Sequence, residues 1–284
     1  MRSPRWPALL AAIALMALVG MPGCGKHPAT APKAPSKTAP KAPPKVPKDK
    51  YAGLTAVQVF DIAVAQSRKR SYATARDTLQ KVLSRTDATP DLIAKVHLEL
   101  ANAYFYDGGI LNLAEAQSRY TNFLTFYPNH DRADYAQYQL GLCYLKQVAS
   151  PDRDQEQTRK ALNELVKVRN IYPNSEYVGA ADEKANEARE ILAEHDFRIG
   201  YFYFRRRSYT GAVERFRSVL LSYPGYSRKD RLYLLLGQSL LAMNKRDEGR
   251  IYLEKLVAEF PKSRYTQEAR DILKQPPPAT ASGH

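Results

Sequence analysis

The sequence predicts an all-α fold, a right-handed α-solenoid of about five helical hairpins, or about ten helices. Three observations predict it. In the stretch 192–226, LAEHDFRIGYFYFRRRSYTGAVERFRSVLLSYPGY, take Gly200 as zero; Tyr203, Ala212, Phe216, Val219 and Pro224 then follow at offsets of 3, 12, 16, 19 and 24. That is the spacing of a 34-residue tetratricopeptide repeat, two antiparallel helices with a short turn. The same frame recurs along the chain. Between residues 51 and 274 no alternating apolar and polar run bounded by turn residues argues for a strand.

The spacing has a physical reading. Small residues at Gly200 and Ala212 let the two helices approach closely, and Tyr203, Phe216 and Val219 fill the seam. Pro224 stops the second helix, because proline lacks an N–H and clashes with the preceding turn. These are packing roles, and Gly200, Ala212 and Phe216 are not candidates for function.

In chain order, residues 1–23 read as an export signal. Arg2 and Arg5 form a positive start, and residues 8–20 form an apolar run of 13, short for a membrane span. Met21-Pro22-Gly23-Cys24 follows, a small residue directly before a cysteine, as in a bacterial lipobox. Cys24 is therefore the expected lipidation site and mature N-terminus. Gly25 stands where an inner-membrane retention signal would have Asp, so the expected location is the outer membrane, periplasmic face, held by lipid. A cysteine with several acyl chains anchors more firmly than one chain does.

Residues 24–50 form a Lys/Pro/Ala tether. From Gly25 it holds seven Lys, seven Pro and one Asp, with almost nothing large and apolar, so it cannot bury enough surface to fold. At ~3.1 Å per residue its reach is up to about 80 Å. Much of the formal +14 of the chain sits here and in the signal, so the repeats carry less charge than the total suggests.

Residues 51–274 carry the repeats, and 275–284 read as a disordered tail. The first copy is Ala63, Ala75, Leu79 and Val82. The second is Ala101, Tyr104, Ala116, Tyr120, Phe123 and Pro128, with a three-residue insertion expected near Gly109 to Asn112. The third is Gly141, Tyr144, Ala161, Leu165, Val168 and Pro173, with eight extra residues expected in the turn near Ser150 to Gln157. The fourth is the stretch above, and the fifth is Gly237, Leu240, Gly249, Leu253, Leu256 and Pro261. Stacked repeats offer a groove lined by their first helices. Its expected lining is Leu98, Asn102, Phe105, Tyr138, Leu142, Phe197, Tyr201, Phe204 and Leu234, with Arg205 beside the aromatic residues. Such a groove suits an extended peptide bearing aromatic side chains or a free carboxylate.

Catalytic and metal chemistry find no support in the residue pattern. His27, His97, His130, His195 and His284 are scattered, without HExxH or HxH spacing, and no CxxC occurs. Neither GxSxG nor a P-loop is present. Cys143 falls inside a repeat helix and reads as a small core residue. No catalytic residue, metal ligand or cofactor is expected, and no nucleic-acid partner.

The repeats contain FLTFYPNH at 123–130, DRDQ at 152–155, YPNSEY at 172–177, LAEHD at 192–196 and YTGAVER at 209–215. Preceded by a lipoprotein signal, this series resembles the BamD family of outer-membrane assembly lipoproteins over residues 51–265. The resemblance implies an adaptor in the machine that folds and inserts outer-membrane β-barrels. Its implied partners are the periplasmic domains of the barrel-forming subunit, docked by the C-terminal half, other assembly lipoproteins, and unfolded outer-membrane proteins, engaged by the N-terminal half. Arg215 falls on the family's arginine after the repeat alanine in the fourth repeat, which implies a partner-docking role. Where the family often closes the first repeat with Tyr-Pro, this chain has Thr86-Asp87, and Pro90 comes later. The tether also suits a different class, a periplasmic cell-envelope organiser acting at peptidoglycan or a Tol–Pal type system.

Overall fold

The computed structural model describes residues 50–148 and 150–275. The export signal, Cys24, nearly all of the tether and most of the tail lie outside the described residues. Among those described are eleven α-helices: α1 Ala56–Arg68, α2 Tyr72–Leu83, α3 Pro90–Asp107, α4 Ile110–Phe126, α5 Ala133–Leu145, α6 Glu156–Ile171, α7 Val178–Arg205, α8 Tyr209–Ser222, α9 Lys229–Ala242, α10 Arg246–Glu259 and α11 Thr266–Lys274. No strand occurs among them. Each helix packs chiefly on its neighbours in sequence, so α1/α2 through α9/α10 form five successive hairpins. Such nearest-neighbour packing is what makes a solenoid. The eleventh helix goes beyond the expected ten; its Ala269 and Ile272 close the apolar face left by the fifth hairpin.

The repeat frame is visible as contact. A Cβ placed on Gly141 would meet the Leu165 side chain at 2.7 Å, one on Gly200 would meet Phe216 at 2.7 Å, and one on Gly237 would meet Leu253 at 2.7 Å. Each pair joins the first and second helix of one hairpin. In the first two repeats alanine takes the glycine's place, and Ala63 and Ala101 are fully buried.

The hairpin turns share a second device. Arg70, Arg207 and Asn244 follow α1, α7 and α9 with φ of 60°, 58° and 61°. There Arg207 N–H donates to the Phe204 carbonyl and Ser208 N–H to the Tyr203 carbonyl, the pattern of a left-handed helix cap. Glycine adopts this conformation without Cβ strain. Arg207→Gly is therefore expected to raise stability by about 0.5 kcal/mol, whereas Arg207→Ala, which keeps the Cβ, brings no such gain. Thermal unfolding of the two variants side by side checks this.

Two insertions behave differently. The eight extra residues of the third repeat form the loop between α5 and α6, as expected. The three of the second repeat do not lengthen its turn. That turn is only Gly108 and Gly109, both at positive φ, and the extra length goes into α3 and α4, of 18 and 17 residues. A third insertion lies between Pro173 and Gly200, where no break in the helical pattern marks it. Pro128 to Gly141 and Pro224 to Gly237 are short connections, but here about four added turns make α7 a helix of 28 residues. Its first half packs Ala181 and Ala185 against Leu165 and Val168. Its second half packs Ala193 and Phe197 into the core of the fourth and fifth repeats.

The departure at Thr86-Asp87 also has a structural use. Asp87 accepts a hydrogen bond from the Ala56 N–H at 2.7 Å and pairs with Arg85, capping the start of α1. Pro90 opens α3 at its first turn, behind the N-cap Thr89, whose hydroxyl accepts from the Leu92 N–H.

Candidate functional site

The second half of α7 carries a ladder of rings. Phe197 and Tyr201 are four residues apart and Phe204 three further on, so they share one helix face. Phe197 stacks with Tyr201 at 6.4 Å, Tyr201 with Phe204 at 6.4 Å, and Tyr209 meets the edge of Phe204 at 6.0 Å. Arg231 of α9 lies over Phe197 and Tyr201, at 5.3 and 4.7 Å from the ring centres. The Arg205 guanidinium beside the Tyr201 hydroxyl holds that phenol below its usual range. The result is a half-exposed strip of Tyr201 and Phe204 flanked by cations, the geometry of cation–π recognition.

The structure divides the expected groove. It brings Tyr201, Phe204 and Arg205 together, but Phe197 is a correction: at 1% exposure it is core, wedged against Phe216 and Tyr226. Phe105 is corrected likewise, at 3% exposure, with Lys146 over its ring at 4.4 Å. Leu98 and Leu234 are also buried. The helical period put these residues on the right helices; the packing of the next repeat decided that they face inward. Tyr138 is half-buried and stacks on Tyr177 at 5.5 Å, across the junction of α5 and α7.

Asn102, expected to line the groove, lies in the wall of a recess between α1, α2 and α3 and is also the hub of a polar network. Its Oδ1 accepts from Tyr120 at 2.6 Å and Tyr135 at 3.1 Å, and its Nδ2 donates to Glu99 at 3.2 Å. Gln139 extends the network by donating to Tyr135 and Tyr106.

Arg215 sits on α8, exposed, with its Cβ beside Gly200 on α7. No ion pair or side-chain hydrogen bond engages its guanidinium among the described residues. Its neighbour Arg217, by contrast, pairs with Glu248. The Arg215 charge is thus free for a partner.

The DRDQ and LAEHD stretches prove to be partners of each other. Arg198 donates to Asp152 at 2.6 Å and to Glu194 at 2.8 Å. His195 Nδ1 lies 2.6 Å from the Pro151 carbonyl. Gln155, 1% exposed, folds the loop on itself by donating to the Ser150 and Arg153 carbonyls. Glu194 also accepts from Tyr226 at 2.7 Å. Burial is the largest influence on Glu194 and opposes its charge, yet the Tyr226 and Arg198 hydrogen bonds prevail and hold its pKa below the usual carboxylate range. Two unexplained charged motifs in one chain were the available signal; their contact was not readable from spacing.

A second recess, about 390 Å³, opens between α1, α2 and α3, with Arg68, Arg70, Tyr72, Glu99 and Tyr106 in its wall. Tyr72 and Tyr106 stack at 6.4 Å. Burial pushes the Glu99 carboxyl up, and the Asn102 amide, which donates to it, offsets this only in part. An acid whose pKa is raised on folding binds protons more tightly when folded, so its charged form costs stability at neutral pH and the cost disappears as pH falls. Glu99→Gln is therefore expected to raise the thermal midpoint at pH 7 by roughly 2–4 °C, the shift ~1 kcal/mol produces in a chain of this size. The gain should vanish at pH 4, and melting curves at both values check it.

Cys143 is fully buried and its thiol is pushed up to about 12 by burial, so it holds no thiolate at neutral pH. Among the described residues no cluster of His, Cys, Asp or Glu is placed to hold a metal ion.

The family model described as outer membrane lipoprotein, YfiO, matches residues 53–249. The chain is 29% identical over 160 residues to the outer membrane protein assembly factor BamD of Caulobacter vibrioides, which covers 56% of this chain and 52% of that protein. It thus spans about half the length of that relative. It is 24% identical over 220 residues to the protein of the same name from Vibrio cholerae, covering 74% of this chain and 81% of that one. Among solved structures, the TPR2AB-domain:pHSP90 complex of yeast Sti1 aligns with a TM-score of 0.40 and 14% identity, over 77% of this chain and 84% of that one.

Proposed function

The chain belongs to the YfiO family of outer membrane lipoproteins, and on that premise we propose that it is a non-catalytic adaptor in the assembly of outer-membrane β-barrels. It is held at the periplasmic face of the outer membrane by lipid on Cys24. Its C-terminal repeats dock the periplasmic domains of the barrel-forming subunit, with other assembly lipoproteins alongside. Its N-terminal repeats engage unfolded outer-membrane proteins. Relatives named as assembly factors support the role.

One observation carries the docking part: Arg215 is an exposed, uncompensated cation on a rigid helix, at the position where the resemblance implies docking. The Tyr201–Phe204 strip on α7 supplies an apolar surface with its own cations. For the N-terminal half, the recess with Tyr72 and Tyr106 stacked in its wall suits an aromatic side chain, and Arg68 and Arg70 suit a carboxylate. Family membership favours this reading over that of an organiser at peptidoglycan.

The test is purification of the tagged full chain from detergent-solubilised membranes. The large barrel-forming subunit should co-purify, and mass spectrometry should find a triacylated cysteine at the mature N-terminus. Clean recovery without that subunit would sink the proposal.

A further inference from the structure

The charge of the repeats is unevenly distributed. From residue 197 onward, 17 Lys and Arg stand against 8 Asp and Glu, while residues 51–196 carry 17 against 20. Three of these cations line one feature that the Arg215 reading does not use.

That feature is a recess of about 510 Å³ between α8 and α10, floored by the start of α9. From α8 come Arg217 and Leu221, from α9 Lys229 and Tyr233, and from α10 Tyr252 and Lys255. Leu221 is 85% exposed, more than any other large apolar side chain among the described residues. No carboxylate lines the recess. Arg217 is engaged by Glu248 and the Tyr252 hydroxyl, but neither Lys229 nor Lys255 has an ion-pair partner among the described residues. Tyr233 is fixed by donating to Glu259 at 3.3 Å, and Tyr252 tilts against it at 6.1 Å, so the aromatic floor is preorganised.

Successive residues of a helix turn by about 100°, so Arg215 and Arg217 point to opposite flanks of α8, on either side of the buried Phe216. The recess is therefore a surface separate from that of Arg215. We propose that it is a second docking site, taking an extended, acidic segment of a partner protein whose apolar side chain covers Leu221 and the two tyrosines while its carboxylates meet Lys229 and Lys255. Charge complementarity selects an acidic occupant. A walled slot between helices selects a peptide: adhesion to anionic lipid uses clusters of four or more cations spread over a surface.

Fluorescence anisotropy on the full chain tests this with a peptide Glu-Leu-Asp-Phe-Glu carrying an uncharged fluorophore. The cationic peptide Lys-Leu-Lys-Phe-Lys and phosphatidylcholine–phosphatidylglycerol vesicles serve as alternatives. The acidic peptide should bind, more weakly as salt is raised. The double variant Lys229→Glu/Lys255→Glu should weaken it by roughly tenfold or more. Leu221→Ser should also weaken it, and Arg215→Glu should leave it unchanged. Equal binding of the cationic peptide, indifference to the double variant, charge-dependent binding of vesicles alone, or loss in Arg215→Glu would each overturn the proposal. Because Arg215→Glu is read separately by co-purification, failure of this site and failure of the docking reading are distinguishable.

Discussion

Arg215→Glu is expected to leave the thermal midpoint of the isolated protein unchanged and to strip the barrel-forming subunit from it during purification. The first half follows from exposure. Arg215 has no ion pair to lose among the described residues, and such surface substitutions usually fall within about 0.5 kcal/mol of neutral. The second half follows from charge reversal, which turns an attractive contact with a partner carboxylate into a repulsive one at a cost of about 3 kcal/mol, a loss of roughly 100-fold in affinity. Arg215→Lys separates two versions of the idea. Lysine keeps the charge and loses the planar fork, so partial retention would mark a bidentate contact and full retention a simple charge contact. Unchanged co-purification of Arg215→Glu would remove Arg215 from the docking surface.

Phe216→Ala should destabilise the protein by about 3–5 kcal/mol, the usual cost of emptying a buried phenylalanine site. Phe216 is fully buried, touches the bare backbone of Gly200 across the hairpin, and meets Phe197 at 5.6 Å between ring centres. The site cannot easily collapse, because α7 and α8 are already in contact at Gly200. Urea unfolding of variant and parent gives the difference. A loss below about 1 kcal/mol would mean that this seam is not what holds the fourth hairpin. The variant should also lose the partner, since α8 carries Arg215, and that contrasts with Arg215→Glu, which loses the partner alone.

Much of the core was legible because it repeats. In the first, fourth and fifth hairpins the offsets of 12, 16 and 19 from the small residue name the seam, Ala212, Phe216 and Val219 in the fourth, and all three are fully buried; the second and third hairpins keep the spacing within the second helix after their insertions. Length was less legible. Spacing located the loop between α5 and α6 but put the second-repeat insertion in a turn, where two glycines at positive φ leave no room for it. The added turns of α7 went unread because they are helical and amphipathic like their surroundings.

The candidate site was legible in part. Tyr201, Phe204 and Arg205 lie together as their spacing on one helix requires. Phe105 and Phe197 share that spacing and are nonetheless buried. A single helix has one period for its inner and outer faces, and sequence does not say which of two adjacent stripes the next repeat covers.

By itself, then, the sequence determined the all-α class, the hairpin as building unit, the residues of each seam and the resemblance that points to Arg215. These depend on interactions within about 25 residues, where periodicity and proline positions act directly. Only the tertiary structure decided that Arg198 joins DRDQ to LAEHD, that Asn102 is the hub of a polar network as well as a lining residue, and that Lys229 and Lys255 flank one recess. Those contacts link separate helices or loops, and their geometry follows from how hairpins stack rather than from the pattern within any one of them.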